Sequence, residues 1–304
     1  MIEPTFIDRD SAGQRLDNFL MSRLKGVPLS RIYRAIRIGE VRVNQKKAPF
    51  SYRLQEGDQL RIPPLRVSQS KPRVVTNQKL MNQLEGRILI EDESLLIINK
   101  PSGLSVQRGE DYFGIIDILS AMRPELSNLK LVHRLDRETS GCLMLAKSRE
   151  LLLKLHDLLR ERQVEKQYLA LVEGRWQGGE RRVELPLMKE RAGGEWMVAV
   201  REEGKPSISV FHPLRYFKKA TLMEIRLLTG RTHQARVHAA YLGHPVAGDT
   251  KYGDRGFNAS MSHLGLKRLF LHSAGLQFKL GQRSVAICAM LDNELIRLLK
   301  KLSD

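Results

Sequence analysis

The sequence predicts an α+β protein of two domains: a small basic α/β module, then a larger domain built on a largely antiparallel sheet. Three observations carry that expectation. After residue 87, short apolar runs of strand length recur, while helical stripes are few and separated. A stretch rich in Pro, Ser, Lys, Asn and Gln interrupts the apolar pattern between the two parts. The charge is also uneven: residues 13–75 hold 14 Lys and Arg against 4 Asp and Glu, ten of the seventeen net positive charges. The expected division is a basic module over 1–66, a linker over 67–86 and the larger domain over 87–304.

In the first module Leu16, Phe19, Leu20 and Leu24 recur at helical spacing until Gly26-Val27-Pro28 breaks the pattern. Ser30 reads as the N-cap of a second helix with Ile32, Ala35 and Ile36 inside, ending at Gly39. Val41-Arg42-Val43 alternates as a strand, with Leu60-Arg61-Ile62 as its partner. Arg31, Arg34 and Arg37 share one arc of the second helix. Arg42, Lys46 and Lys47 extend it into a row suited to tracking phosphates.

In the larger domain, residues 88–90 and 95–98 read as strands around the turn Glu91-Asp92-Glu93-Ser94. Residues 114–122 predict a short helix stopped by Pro124, and 142–146 a buried strand. Leu151, Leu152, Leu155, Leu158 and Leu159 make a helical stripe that belongs to a core. Residues 167–172, 207–211 and 220–228 read as strands, and 292–302 as a closing amphipathic helix.

Composition narrows the function. A net charge of +17 and pI ≈ 10.1 imply a polyanionic partner. Nucleic acid is preferred over an acidic membrane surface, because no basic helix carries an aromatic face. No apolar run is long enough to span a bilayer, and Met1-Ile2-Glu3-Pro4-Thr5 lacks a signal-peptide pattern. Cys142 and Cys288 form neither a CxxC pair nor a disulfide framework. These features predict a cytoplasmic protein without membrane contact. No GxGxxG occurs, Gly204-Lys205-Pro206-Ser207 is a turn rather than a phosphate loop, and no histidine pair matches a metal spacing.

Two polar segments stand out. His133-Arg134-Leu135-Asp136-Arg137-Glu138-Thr139-Ser140-Gly141 lies between apolar stretches and places the carboxylate of Asp136 between two arginines. Such a carboxylate stays ionised and can act as nucleophile or base, although an ordinary polar turn capped by Asp136 has the same composition. Thr229-Gly230-Arg231-Thr232-His233-Gln234-Ala235-Arg236-Val237-His238 follows a strand and opens a helix. It can aim backbone amides and Arg231 at an anion. An ion pair between Arg231 and Asp136 is the expectation with most chemical content; Arg231 capping a turn or facing water is the alternative.

The first module resembles the S4 RNA-binding domain on four segments: Arg15-Leu16-Asp17-Asn18-Phe19-Leu20, Ser30-Arg31, Ile38-Gly39-Glu40-Val41-Arg42-Val43-Asn44 and Leu54-Gln55-Glu56-Gly57-Asp58. From about residue 88 onward the chain resembles the RluA family of pseudouridine synthases. Residues 133–141 match HRLDxxTSG, 230–238 match GRTHQxRVH, and 165–172 match K-x-Y-x-A-L-V. Asn99-Lys100-Pro101-Ser102-Gly103-Leu104, Gly243-His244-Pro245, Gly248-Asp249-Thr250-Lys251-Tyr252-Gly253 and Arg268-Leu269-Phe270-Leu271-His272 follow the family's order. Gln107, Glu138 and Ala235 depart from its pattern and bear on substrate detail.

The resemblance implies a mixed, largely antiparallel sheet flanked by helices and an isomerase that converts uridine to pseudouridine. It is most similar to members that act on large-subunit ribosomal RNA. Asp136 would attack C1′ as nucleophile or C2′ as base, with Arg231 paired to it. Tyr168 would lie against the uracil and assist removal of the C5 proton, and Arg134 would fill the gap left by the flipped base. His133 and Thr139 would contact RNA beside it, and Arg31, Arg34, Arg37, Arg42, Lys46 and Lys47 would contact RNA from the S4 module. The implied enzyme is monomeric and needs neither cofactor nor metal. The same chemistry on transfer RNA, and a non-catalytic S4-type assembly protein, are the alternatives.

Overall fold

The structure, a computed structural model, describes every residue except 1–3, 10, 25, 66–74, 76, 110, 111, 127 and 304. The chain divides into two compact units, Met1–Val74 and Val75–Asp304. Residues 66–74 and 76 of the expected linker lie outside the described residues. Its remainder is not linker-like, since Gln78–Asn82 is helical and Val75 and Leu84 are buried in the core of the second unit.

The first unit holds β1 (Thr5–Phe6), α1 (Leu16–Arg23), α2 (Leu29–Ile38), β2 (Arg42–Val43) and β3 (Gln59–Arg61). Its antiparallel sheet runs β1-β3-β2, with Val43 opposite Leu60. Leu16, Phe19, Leu20, Ile32, Ala35 and Ile36 bury against Val41, Val43, Leu54 and Leu60. Helix α2 starts two residues earlier than the sequence predicts. Pro28, not Ser30, occupies the capping position, and its carbonyl accepts the amides of Arg31 and Ile32. A proline with fixed φ and no N–H to satisfy starts a helix without a side-chain cap. The helix ends as expected at Gly39 in the left-handed conformation.

The second unit comprises α3 (Gln78–Asn82), β4 (Ile88–Glu91), β5 (Leu95–Lys100), α4 (Ile115–Met122), β6 (Lys130–Leu131), β7 (Ser140–Ala146), α5 (Arg149–Arg160), β8 (Glu165–Glu173), β9 (Arg181–Glu184), β10 (Leu187–Ala192), β11 (Glu195–Val200), β12 (Ile208–Tyr216), β13 (Ala220–Leu227), α6 (Gln234–Tyr241), α7 (Arg255–His263), β14 (Leu271–Leu280), β15 (Arg283–Cys288) and α8 (Asn293–Lys301). Ten strands form one sheet in the order β4-β5-β7-β14-β8-β13-β12-β9, with β6 also on β7 and β15 also on β14. Among the described residues only the β7–β14 pairing is parallel. Strands β10 and β11 form a separate hairpin.

The unbroken apolar runs of β5 and β7 follow from burial on both faces. Leu96, Ile98, Leu143 and Leu145 enter one core with α4 and Tyr168; Leu95, Ile97, Cys142, Met144 and Ala146 enter the other with Leu151 and Leu155 of α5. Among the described residues no helix is long and apolar enough to cross a membrane.

Candidate active site

The polar loop 133–139 leads into β7, and the glycine that closes its motif has a steric reason. Gly141 has φ of +109°, and a Cβ there would lie 2.2 Å from the Ser273 carbonyl oxygen. Only glycine lets β7 and β14 approach in the parallel register His272–Ser140 and Ser273–Gly141. Ser140 continues that join: its hydroxyl accepts from Arg268 Nη2 at 2.7 Å and meets His272 Nδ1 at 2.8 Å. The loop therefore leaves a fixed strand start.

The back of the loop is clamped by residues 100–104. Lys100 is fully buried, and its Nζ donates to the carbonyls of Pro101, Leu104 and Arg137 at 2.9, 2.9 and 3.0 Å. Gly103 N donates to the same Arg137 carbonyl, and Ser102 Oγ to that of Glu138. Burial, with Arg268 next in effect, pushes the Lys100 pKa down to about 7, while three carbonyl acceptors favour its ammonium form. Lys100→Met leaves the Pro101 and Leu104 carbonyls without a donor, while that of Arg137 keeps the Gly103 amide. At roughly 1–3 kcal/mol for each such group, offset by relief of the buried charge, a net loss of about 2–4 kcal/mol is expected in urea unfolding. An unchanged midpoint would show the clamp to be dispensable.

Asp136 sits in a narrow cleft of about 90 Å³ lined by Arg134, Thr139, Tyr168, Gly230, Arg231 and His233 among others. Its Oδ2 lies 3.5 Å from Arg236 Nη1 and 3.8 Å from His233 Nε2. The expected ion pair with Arg231 is not present. Arg231 is exposed, and its Nε donates to the Pro206 carbonyl at 3.2 Å. Helix phase explains the difference. Helix α6 begins at Gln234, so Gln234 and His238 share one face and Arg236 points about 200° away from each. Gln234 binds Thr229, the Arg231 amide, the Ile208 carbonyl and Ser209, and His238 binds Ser207 and Ser209. That face is tied to β12, which turns Arg236 toward Asp136 and leaves Arg231 in the preceding turn.

Arg236 is buried and fixed by Asp249 in a two-pronged bond, Nε to Oδ2 at 2.7 Å and Nη2 to Oδ1 at 2.8 Å. Asp249 also accepts the amides of Lys251 and Tyr252. Tyr252 packs its ring 5.1 Å from the Arg236 guanidinium carbon. Its hydroxyl accepts from Val198 N at 3.0 Å and meets His233 Nδ1 at 2.8 Å; in the tautomer where that hydroxyl donates to Nδ1, Nε2–H faces Asp136. Burial holds the His233 pKa below its ordinary value against the opposing pull of Asp136. His233 adopts φ of +56°, a left-handed conformation uncommon for a side-chain-bearing residue and a mark of functional sites.

Tyr168 lies mid-sheet in β8, opposite Ile225 and Ser273, with its ring on the cleft wall. Burial first, and the charge of Asp136 after it, raise its phenol pKa above the ordinary value. Arg134 stands exposed at the cleft, and Thr139 is buried in its wall. His133 departs from its expected part in RNA contact. Its Nε2 accepts the Met144 amide at 3.0 Å, and burial lowers its pKa to about 4, so it pins the loop to β7 as a neutral ring.

In the first unit the arginine row divides. Arg31 pairs with Glu40 at 2.7 Å, and Arg42 donates to the Gly39 and Gln45 carbonyls. Lys46 is exposed, and Arg34, Arg37 and Lys47 line one groove. Sequence reasoning passed over Lys100, His233, Arg236, Asp249 and Tyr252 as functional residues. All five lie within its quoted motifs; Lys100, His233 and Arg236 are singled out by contact with Asp136 or its loop, and Asp249 and Tyr252 by their hold on Arg236 and His233.

Residues 94–241 match the family model described as RNA pseudouridylate synthase, and residues 14–60 match that of the S4 domain. The chain is 48% identical over 304 residues to a ribosomal large subunit pseudouridine synthase C of Pasteurella multocida, covering 98% of this chain and 93% of that protein. It is 49% identical over 277 residues to the protein of that name from Escherichia coli K12, covering 90% and 87%. Among solved structures, human RNA pseudouridylate synthase domain containing 4 aligns with a TM-score of 0.62 at 26% identity, over 74% of this chain and 96% of that one.

Proposed function

Because this chain belongs to the RNA pseudouridylate synthase family, we propose that it isomerises uridines of large-subunit ribosomal RNA, with Asp136 as the reacting carboxylate. The observation that carries the reading is the setting of Asp136, held by Arg236 and His233 in a cleft whose wall is the Tyr168 ring. In the reaction the C1′–N1 bond breaks, the detached uracil turns, and a C5–C1′ bond forms. A proton leaves C5 and one is gained at N1, so nothing is consumed. The cleft is smaller than the roughly 300–1,000 Å³ of ligand pockets, so the exposed Arg134 and Arg231 side chains part to admit a flipped uridine.

Asp136 then contacts the ribose, and Arg236 and His233 set its orientation. Tyr168 supplies a surface against the base. With its pKa raised it stays a phenol, suited to packing and to donating a hydrogen bond rather than to taking the C5 proton as a phenolate. Arg134 occupies the place the uridine leaves, and Thr139 closes the wall. The S4 module adds affinity through phosphate contacts from Arg34, Arg37, Lys46 and Lys47. The enzyme acts as a cytoplasmic monomer. Mapping of pseudouridines in RNA from a strain lacking the gene is expected to show discrete large-subunit sites reverting to uridine. Loss confined to transfer RNA would overturn the substrate assignment.

A further inference from the structure

The groove on the first unit is built for more than phosphates. It has a volume of about 680 Å³ and is lined by Ser30, Tyr33, Arg34, Ile36, Arg37 and the segment 47–50. Two aromatic rings line it while remaining accessible, Tyr33 at 40% and Phe50 at 50% exposure, with centroids 5.9 Å apart and planes at 80°. Both are held. The Tyr33 hydroxyl donates to Asp17 at 3.4 Å, and Arg15, paired with that same Asp17, lies 5.5 Å from the Phe50 ring centre.

Cations frame the rings. Arg34 and Arg37 lie one helical turn apart, and neither they nor Lys47 has a carboxylate partner among the described residues. The Lys47 stem crosses the end of α2 directly over Gly39, where a Cβ would lie 2.4 Å from Lys47 Cε. Exposed rings are a poor match to duplex RNA, whose bases are stacked and hidden. They match single-stranded RNA, whose bases pack on aromatic faces while basic side chains follow the backbone.

We infer that this groove is a binding site for an unpaired RNA nucleotide, its base against Tyr33 and Phe50 and its flanking phosphates on Arg34, Arg37 and Lys47. The inference rests on the RNA substrate proposed above and adds that the S4 module selects unpaired RNA. It gives each side of the groove a separate task. The rings distinguish single strand from duplex, and the cations bind both.

The test uses the full chain with a single-stranded oligouridylate carrying 5-iodouridine, and a duplex RNA with the same number of phosphates. Irradiation is expected to cross-link the single strand to Tyr33 or Phe50. Phe50→Leu should weaken single-strand binding by roughly 5- to 150-fold, the range for one base packed on one ring, with duplex binding within twofold. Phe50→Tyr should restore it. Arg37→Gln should weaken both RNAs and lower the salt dependence by about one counterion, whereas Phe50→Leu leaves that slope unchanged. Cross-links confined to Val75–Asp304, or equal losses for single strand and duplex in Phe50→Leu, would overturn the site. Neither result touches the isomerase reading, which is decided separately by pseudouridine formation.

Discussion

Asp136→Asn is expected to abolish release of tritium from RNA labelled at uridine C5, a loss of at least about 10⁴-fold relative to wild type. The substitution keeps the size of the side chain and its place beside Arg236 and His233. It removes the negative charge that either route requires, attack at C1′ or proton removal at C2′. Release of the C5 hydrogen reports formation of the new glycosidic bond, so the assay reads the complete rearrangement. RNA affinity should stay close to wild type, because the cleft loses an anion facing a polyanion and keeps Arg134, Arg231 and the S4 cations. A mutant that binds RNA but releases no tritium separates catalysis from recognition. Release within tenfold of wild type would remove Asp136 from the reaction and return the loop to a structural turn.

The parts of the fold legible in the sequence are those where burial writes a period. The leucine stripe of α5 and the apolar runs of β5 and β7 have single packing solutions, and they form as expected. The hairpin β10–β11 passes unnoticed: β10 runs Lys189, Glu190 and Arg191 in succession and buries only Leu187, and β11, apolar from Trp196 to Val200, buries only Val198, so neither strand shows a regular in–out alternation. Strand β12 outruns its expected end because a bulge between Pro213 and Arg215 accommodates the proline. The site divides in the same way. Asp136 is legible as an acid set between two arginines in a polar loop, whereas Tyr168 is singled out only by the family resemblance of its strand. Their partner among two arginines five residues apart depends on the starting residue of α6. That start is set by His233 in a left-handed conformation rather than by an ordinary capping residue, and it leaves no mark that composition can read.

The two arginines provide the sharpest test of the site as observed. Arg236→Lys retains a positive charge but loses the planar fork that spans Asp249 and reaches Asp136. Displacing a reacting group by about 1 Å costs roughly 10²-fold, and a loss of that order in kcat is expected with little change in KM. Arg231→Ala removes an exposed side chain at the cleft mouth whose one described bond is to a carbonyl. It should raise KM several-fold and leave kcat within a factor of three. Arg236→Met alone is a poor probe, because it strands a buried Asp249, and breaking such a pair costs about 3–5 kcal/mol. The double variant Arg236→Met with Asp249→Asn removes both charges, and its stability should recover most of that loss while its kcat does not. Single-turnover tritium release alongside thermal unfolding distinguishes these outcomes. If Arg231→Ala suppresses kcat as deeply as Asp136→Asn while Arg236→Lys leaves it intact, then Arg231 swings onto Asp136 when RNA binds, and Arg236 serves only to anchor α6 to Asp249.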